Sequence, residues 1–433
     1  MSTSRFVTLE PRAGASSRWV QLSLGVIAMV ATSNLQYGWT LFVNPIADKF
    51  HWSLAAIQVA FTFYILAQTW LVPFVAYLAD CFGPRLIVAG GGVLVGLAWV
   101  INAAANSLPA LYLGGIIGGI GAGSVYGASV GNALKWFTDR RGLAAGLTAA
   151  AYGAGSALTI IPIAHTIKNS GYQSAFLGFG LLQGLVILSV SLALRTPENR
   201  AEDDATRIRY AEQSCTPQQV LQAPLFWLLY VMFVMICSGG LMAVAQLGPV
   251  AKDFGVATMP VSFAGLTLAA LPLALSLEGI TNGLTRPFFG WVSDYIGREN
   301  TMFVAFSLEG MAKLLMIRFA HNPVLFVLFS GLIFFAWGEI YSLFPAISCD
   351  LFGRRYATTN YGLLYTAKGV SALFIPIGSL LRAATGGWQT ILVLTCLLDL
   401  GAAVLALFVL KPLRKKRVSS IAQLSLARTN QRE

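Results

Sequence analysis

The sequence predicts an all-α membrane protein of twelve transmembrane helices, arranged as two six-helix bundles related by a pseudo-two-fold axis. Three observations lead there: the apolar fraction, the number of apolar runs, and a repeat between the two halves. Of 433 residues, 56% are hydrophobic and only 11% are charged. A membrane helix needs roughly 20 mostly apolar residues to cross the hydrocarbon layer, so twelve crossings take about 240. The apolar residues of this chain number about 242. A soluble fold has no interior able to bury that much. Soluble enzymes, disordered chains and disulfide-stapled secreted domains are excluded.

The elements follow in order. The first 18 residues are polar and carry Arg5, Arg12 and Arg18. The apolar run at 19–43 is too long for a signal-peptide core and no small-residue cleavage site follows it, so it reads as an uncleaved first span. Further runs lie at about 55–78, 86–104, 110–134, 142–167 and 174–194. After a hydrophilic interval they resume at about 225–250, 263–290, 301–319, 323–348, 359–381 and 388–410. The interval contains TPENRAEDDATRIRY and reads as a linker. The expected organisation is therefore an N-terminal bundle over 1–195, a cytoplasmic linker over 196–223, and a C-terminal bundle with a basic tail over 224–433. The tail motif KPLRKKR suits an anionic leaflet surface.

Basic residues set the orientation. With the N-terminus inside, inner segments hold 21 Lys and Arg, while outer loops hold five: Lys49, Lys168, Lys252, Arg318 and Arg382. Both termini are expected in the cytoplasm. The net charge of +11 is thus a topology signal, and nucleic-acid binding is not expected. Five cysteines without C-x-x-C spacing and three scattered histidines offer no disulfide framework, metal site or cofactor pocket. No nucleophile–base constellation stands out between the spans, so an enzyme is not expected.

The halves repeat at an offset of about 214 residues. Asp80-Cys-Phe-Gly83 recurs as Asp294-Tyr-Ile-Gly297, and Phe137-Thr-Asp-Arg140-Arg141 is echoed by Phe352-Gly-Arg354-Arg355. Gly123-Ser-Val-Tyr126 matches Gly338-Glu-Ile-Tyr341. Such duplication is the mark of a transporter whose halves rock about a central site. At AYLADCFGPR and GWVSDYIGR the sequence resembles the major facilitator superfamily. That resemblance implies its fold, and it implies gating contacts for Asp80, Arg85, Asp294 and Arg298; ordinary loop charges are the plainer alternative. LQYGWTLFVNP, KWFTDRRGLAAG, RPFFGWVSDYIGR, WGEIYSLFP and NYGLLYTAKG resemble the oxalate:formate antiporter family over most of the chain.

Seven ionisable residues fall inside the expected spans, all in the second half: Glu278, Arg286, Glu309, Lys313, Glu339, Lys368 and Asp399. A charge at the bilayer centre costs roughly 2.5–3.5 kcal/mol on insertion scales, so each needs a partner or a wet cavity. The resemblance implies that Arg286 and Lys368 bind substrate carboxylates, with Gln36, Tyr37, Tyr126, Tyr152, Trp337, Tyr341 and Tyr365 completing the site. Core packing is the alternative for any single aromatic. Glu309 and Lys313, four residues apart, suit a structural ion pair that Asp399 could join. The acids depart from the family pattern. Glu278 or Glu339, near the cavity, would favour a monocarboxylate or a proton. The five glycines 115, 119, 123, 127 and 131 read as a packing face.

The expected function is exchange of small carboxylate anions, oxalate for formate, by alternating access in the bacterial inner membrane. Proton-coupled monocarboxylate uptake is the alternative. A monomer is expected, with the lipid bilayer and the anions as its partners.

Overall fold

Backbone surrounded by lipid must satisfy its own hydrogen bonds, and helices do so within each segment. The computed structural model of the chain is accordingly helical almost throughout; it describes residues 15–137, 141–197, 214–263, 266–353 and 356–416. Seven helical stretches among these are long and apolar enough to cross a membrane: Pro84–Ala104, Leu108–Trp136, Leu143–Ala193, Pro224–Asp253, Pro323–Phe352, Thr359–Thr385 and Gln389–Lys416.

In chain order the helices before the hydrophilic interval are α1 (Ala15–Thr32), α2 (Asn34–Tyr37), α3 (Thr40–Phe50), α4 (Leu54–Trp70), α5 (Val72–Phe82), α6 (Pro84–Ala104), α7 (Leu108–Trp136), α8 (Arg141–Ala154) and α9 (Ile160–Ala193). After it come α10 (Pro217–Gln222), α11 (Pro224–Asp253), α12 (Ala270–Ile296), α13 (Arg298–Phe319), α14 (Pro323–Trp337), α15 (Ile340–Phe352), α16 (Ala357–Ala372), α17 (Phe374–Thr385) and α18 (Gln389–Val404). Several neighbours are one rod with a break. Gly38 separates α2 from α3, a 3₁₀ turn at Gly155–Leu158 separates α8 from α9, and Gly338 with Glu339 separates α14 from α15. A break frees backbone groups and side chains at mid-depth, where a binding site can use them.

Two expectations need correction. The run at 263–290 does not begin as a helix. Pro260–Phe263 and Leu266–Ala269 form an antiparallel hairpin, with Val261 opposite Leu268 and a 2.8 Å hydrogen bond between the Ser262 and Thr267 hydroxyls. Helix α12 starts only at Ala270. A short apolar run carries no period that separates strand from helix, which is why the hairpin was invisible. Part of the expected linker is also ordered: Thr216 and Gln219 form a capping box that opens α10, and the Cys215 amide donates to the Phe352 carbonyl at 2.8 Å.

The repeat has a backbone signature. Gly83 (φ 81°, ψ 159°) and Gly297 (φ 90°, ψ 153°) stand at the same point of their halves, each joining two helices through a conformation that favours glycine. The glycine face of α7 is equally local in its purpose. A Cβ at Gly115, Gly119 or Gly123 would run into the carbonyls of Ala60, Tyr64 and Gln68 on α4, whereas Gly131 has open space around it. Glycine every fourth residue thus lets α4 and α7 touch backbone to backbone. It fixes where Tyr64 and Gln68 point.

Helices from the two halves meet along α8 against α12, α16 and α17 against α4, and α3 against α11. The contacts include Gln58 Nε2 to the Ala245 carbonyl (2.7 Å), the Gly248 amide to Thr40 Oγ1 (2.7 Å), Thr62 Oγ1 to the Ala372 carbonyl (2.8 Å), and an exposed Lys252–Asp48 ion pair (2.7 Å). The polar cluster described next lies in this seam.

Candidate functional site

Two cations from separate helices converge on one aromatic ring. The Arg286 guanidinium carbon sits 4.5 Å from the centre of the Tyr341 ring, and Lys368 Nζ sits 5.7 Å from it. Arg286 is 3% exposed and Lys368 1%, so both are buried. Neither has a carboxylate partner among the described residues. Their hydrogen bonds go to neutral groups. Arg286 donates from Nη1 to the Ala149 carbonyl across the seam and from Nη2 to Asn282 Oδ1 (3.2 Å). Its Nε has no partner among the described residues. Lys368 Nζ donates to Gln36 Oε1 (3.0 Å), Gln68 Oε1 (2.9 Å) and the Tyr365 hydroxyl (3.3 Å).

The N-terminal helices answer with hydroxyls and amides alone. Gln68 Nε2 donates to the Tyr152 hydroxyl at 2.6 Å, and that hydroxyl donates to Gln36 Oε1 at 3.2 Å. The Tyr64 hydroxyl lies 3.2 Å from the Tyr152 hydroxyl oxygen. One chain of hydrogen bonds therefore links Tyr64, Tyr152, Gln36 and Gln68 to Lys368. Such chains hold their members in register, and their cost is high if one is left unmade.

Rings fill the remaining space. Tyr126 stacks on Tyr365 (6.1 Å between centres) and meets Tyr152 edge-on (5.5 Å); Tyr37 meets Tyr152 at 5.8 Å. Tyr341 contacts Trp337 (5.5 Å) and Tyr365 (6.2 Å) edge to face. Trp337 reaches this position because Gly240 of α11 leaves room: a Cβ there would strike the indole. Gly153 plays the same part for Arg286 and Asn282. The hydroxyls of Tyr37, Tyr341 and Tyr361 and the Trp337 Nε1 are buried with no partner among the described residues. Buried donors left without a partner are available to anionic oxygens.

The structure thus brings together all nine residues singled out for binding: Arg286, Lys368, Gln36, Tyr37, Tyr126, Tyr152, Trp337, Tyr341 and Tyr365. It adds Gln68, Tyr64 and Asn282. Gln68 and Tyr64 are neutral residues four apart on an apolar helix, and only their shared face hinted at them. The four residues expected to make gating contacts are not alike. Arg298 pairs with Asp294 at 2.7 Å, also donates to the Ser293 hydroxyl, and reaches Asp350 at 3.6 Å. Arg414 adjoins them through Glu299 (2.5 Å) and Asp350 (3.9 Å). Arg85 is exposed, and the Asp80 side chain lies outside the described residues. Glu309, Lys313 and Asp399 form a separate buried triad, with Lys313 Nζ at 2.7 Å from Glu309 Oε1 and 2.6 Å from Asp399 Oδ2.

The comparisons with known proteins follow the same lines. The Major Facilitator Superfamily pattern matches residues 24–277 and 264–431. The chain is 36% identical over 425 residues to the oxalate:formate antiporter of Oxalobacter formigenes, covering 96% of this chain and 98% of that protein. It is 30% identical to an uncharacterized 38 kDa protein in the 23S RNA operon of Thermoproteus tenax, over 81% of this chain and 84% of the other. Monocarboxylate transporter 12-B of Danio rerio is 26% identical over 70% of this chain and 68% of its own length.

Proposed function

The chain belongs to the major facilitator superfamily, and from that premise we propose that it exchanges small carboxylate anions, oxalate for formate, by alternating access. The observation that carries the reading is the pair Arg286 and Lys368, buried on one tyrosine ring with only neutral partners among the described residues. Two positive charges so placed repel each other and lack hydration. A dianion neutralises both and a monoanion one, with the arginine fork gripping a carboxylate edge and the lysine a single oxygen. Movement of the empty site between its two faces carries that unpaired charge, so anions trade places and net flux is slow.

The reading takes the protein as twelve spans in two bundles, 1–195 and 224–433, joined by a cytoplasmic linker. Four of those spans fall short of a continuous apolar helix for physical reasons. The first and second contain breaks, and α12 and α13 carry Glu278, Arg286, Glu309 and Lys313. The excess of Lys and Arg on one side supports cytoplasmic termini, and the bacterial relative supports an inner-membrane location. The linked group Asp294, Arg298, Asp350, Glu299 and Arg414 would latch the inner ends of the C-terminal helices, with Asp80 and Arg85 as its N-terminal counterpart.

Counterflow in proteoliposomes tests the exchange. Labelled oxalate outside should enter only when oxalate or formate is inside. Rapid efflux into anion-free medium would overturn obligatory exchange. Proton-coupled monocarboxylate uptake has one observation in its favour: both carboxyl oxygens of buried Glu278, two helical turns from Arg286, lack partners among the described residues. Uptake driven by a pH gradient into anion-free vesicles would select that reading.

A further inference from the structure

Behind the cationic centre lies a second buried polar group that anion exchange leaves unused. Lys313 holds Glu309 and Asp399, and each carboxyl keeps one oxygen, Glu309 Oε2 and Asp399 Oδ1, without a partner among the described residues. Glu339, at the break between α14 and α15, lies within electrostatic reach of Glu309. It is 0% exposed, and both of its oxygens are unpartnered among the described residues. Two carboxyls therefore share one ammonium, and a third has no cation of its own among the described residues, all in a region of low dielectric. Unpaired carboxylates are costly there, so the group approaches neutrality only by holding protons.

Two features tie it to the site, and a cavity adjoins it. Gly239 and Gly240, adjacent on α11, pack against Lys313 Nζ and the Trp337 indole respectively, so one turn of that helix touches both groups; Cys237, two residues before Gly239, is a titratable neighbour. Glu339 is two residues from both Trp337 and Tyr341, whose rings line the centre. A cavity of about 30 Å³ adjoins Lys313, running past Gln246, Ser330 and Thr395 toward Val250 and Trp388. It has the size of roughly two water molecules, and its lining is mostly apolar. The other titratable neighbour facing the group is Cys396 of α18, beside Asp399 and Lys313. Gly239 completes the pocket, since a Cβ there would strike Lys313 Nζ.

We propose that Glu309 and Asp399, held on Lys313, and Glu339 at the break between α14 and α15 form a proton-binding site that takes up a proton when an anion occupies the Arg286–Lys368 centre. A dianion entering with a proton then carries the same net charge as a monoanion leaving. The anion part of this proposal rests on the carboxylate reading above; the proton site itself does not.

The test has two arms on the full chain in detergent. In the first, oxalate is added to weakly buffered protein, with bound anion followed by thermal shift and protons by an indicator dye. About one proton should be taken up per oxalate bound, and Glu339→Gln and Asp399→Asn should at least halve that number while still binding oxalate. Oxalate binding without proton uptake, or equal uptake in both variants, overturns the proposal. If no small carboxylate binds, the carboxylate reading fails, and the second arm decides the proton site. Infrared difference spectra between mildly acidic and mildly alkaline pH should then show a protonated-carboxyl band that either variant weakens. Spectra superimposable on those of the unmodified chain overturn the proton site.

Discussion

Lys313 and Lys368 are both buried in the C-terminal half, and their surroundings are opposite. Lys313 meets two carboxylates at 2.7 and 2.6 Å. Lys368 meets three neutral oxygens, from Gln36, Gln68 and Tyr365. Lys313 is therefore complete within its own half. Lys368 draws two of its three partners from across the seam and keeps its charge uncompensated among the described residues. The difference separates a charge with fixed counter-ions from one without any among the described residues, although burial alone, 2% against 1% exposed, does not distinguish them.

Removing each ammonium breaks the comparison most strongly. Lys313→Met strands two buried carboxylates, a loss of about 3–5 kcal/mol, so folded monodisperse protein should fall sharply in size-exclusion profiles and melting temperature. Lys368→Gln removes one charged partner from an anion, worth roughly 1.5–3 kcal/mol, or about 10- to 150-fold in exchange rate. Its melting curve should stay close to that of the unmodified chain. Equal destabilisation by the two substitutions would dissolve the distinction.

A sharper version converts one lysine into the other. Gln68→Glu places a carboxylate 2.9 Å from Lys368 Nζ and gives it the private counter-ion that Lys313 already has. Oxalate exchange should drop about tenfold or more, because the anion must now displace a fixed charge. Stability should hold or rise. Undiminished counterflow in this variant would place the anion away from Lys368.

How much of this could be read from sequence depends on what each residue costs. Charges in an apolar run are expensive, so Arg286, Lys368, Glu309 and Lys313 stood out at once, and the i,i+4 spacing paired the last two. Asp399, 86 residues from Lys313, needed the fold to bring it in. Gln68 and Tyr64 stayed hidden because a neutral amide or phenol within a helix is cheap and common. The breaks at Gly38, Gly155 and Gly338 were equally silent, since a glycine in an apolar run also serves close packing, as it does at Gly115 and Gly119.

Arginine and lysine differ at the centre in a way that Arg286→Lys exposes. The substitution keeps the charge but loses the fork that spans the Ala149 carbonyl and Asn282. A loss of one charge-assisted hydrogen bond, about 1.5 kcal/mol, weakens oxalate binding about tenfold while formate, with one carboxylate, suffers less. Equal loss for both anions in a competition assay would mean that the fork does not grip the second carboxylate.

The smallest effects concern the ring between the cations. The Tyr341 hydroxyl has no hydrogen-bond partner among the described residues, whereas its ring lies against both Arg286 and Lys368. Tyr341→Phe keeps the ring and should leave exchange within about twofold, since a desolvated cation–π contact resides in the face and not in the hydroxyl. Tyr341→Leu removes the face; at about 1 kcal/mol per cation it should slow exchange several-fold with little change in melting temperature. If Phe fails as badly as Leu, the hydroxyl is a direct ligand of the anion, and the orphan donors of Tyr37 and Tyr361 become the next residues to replace.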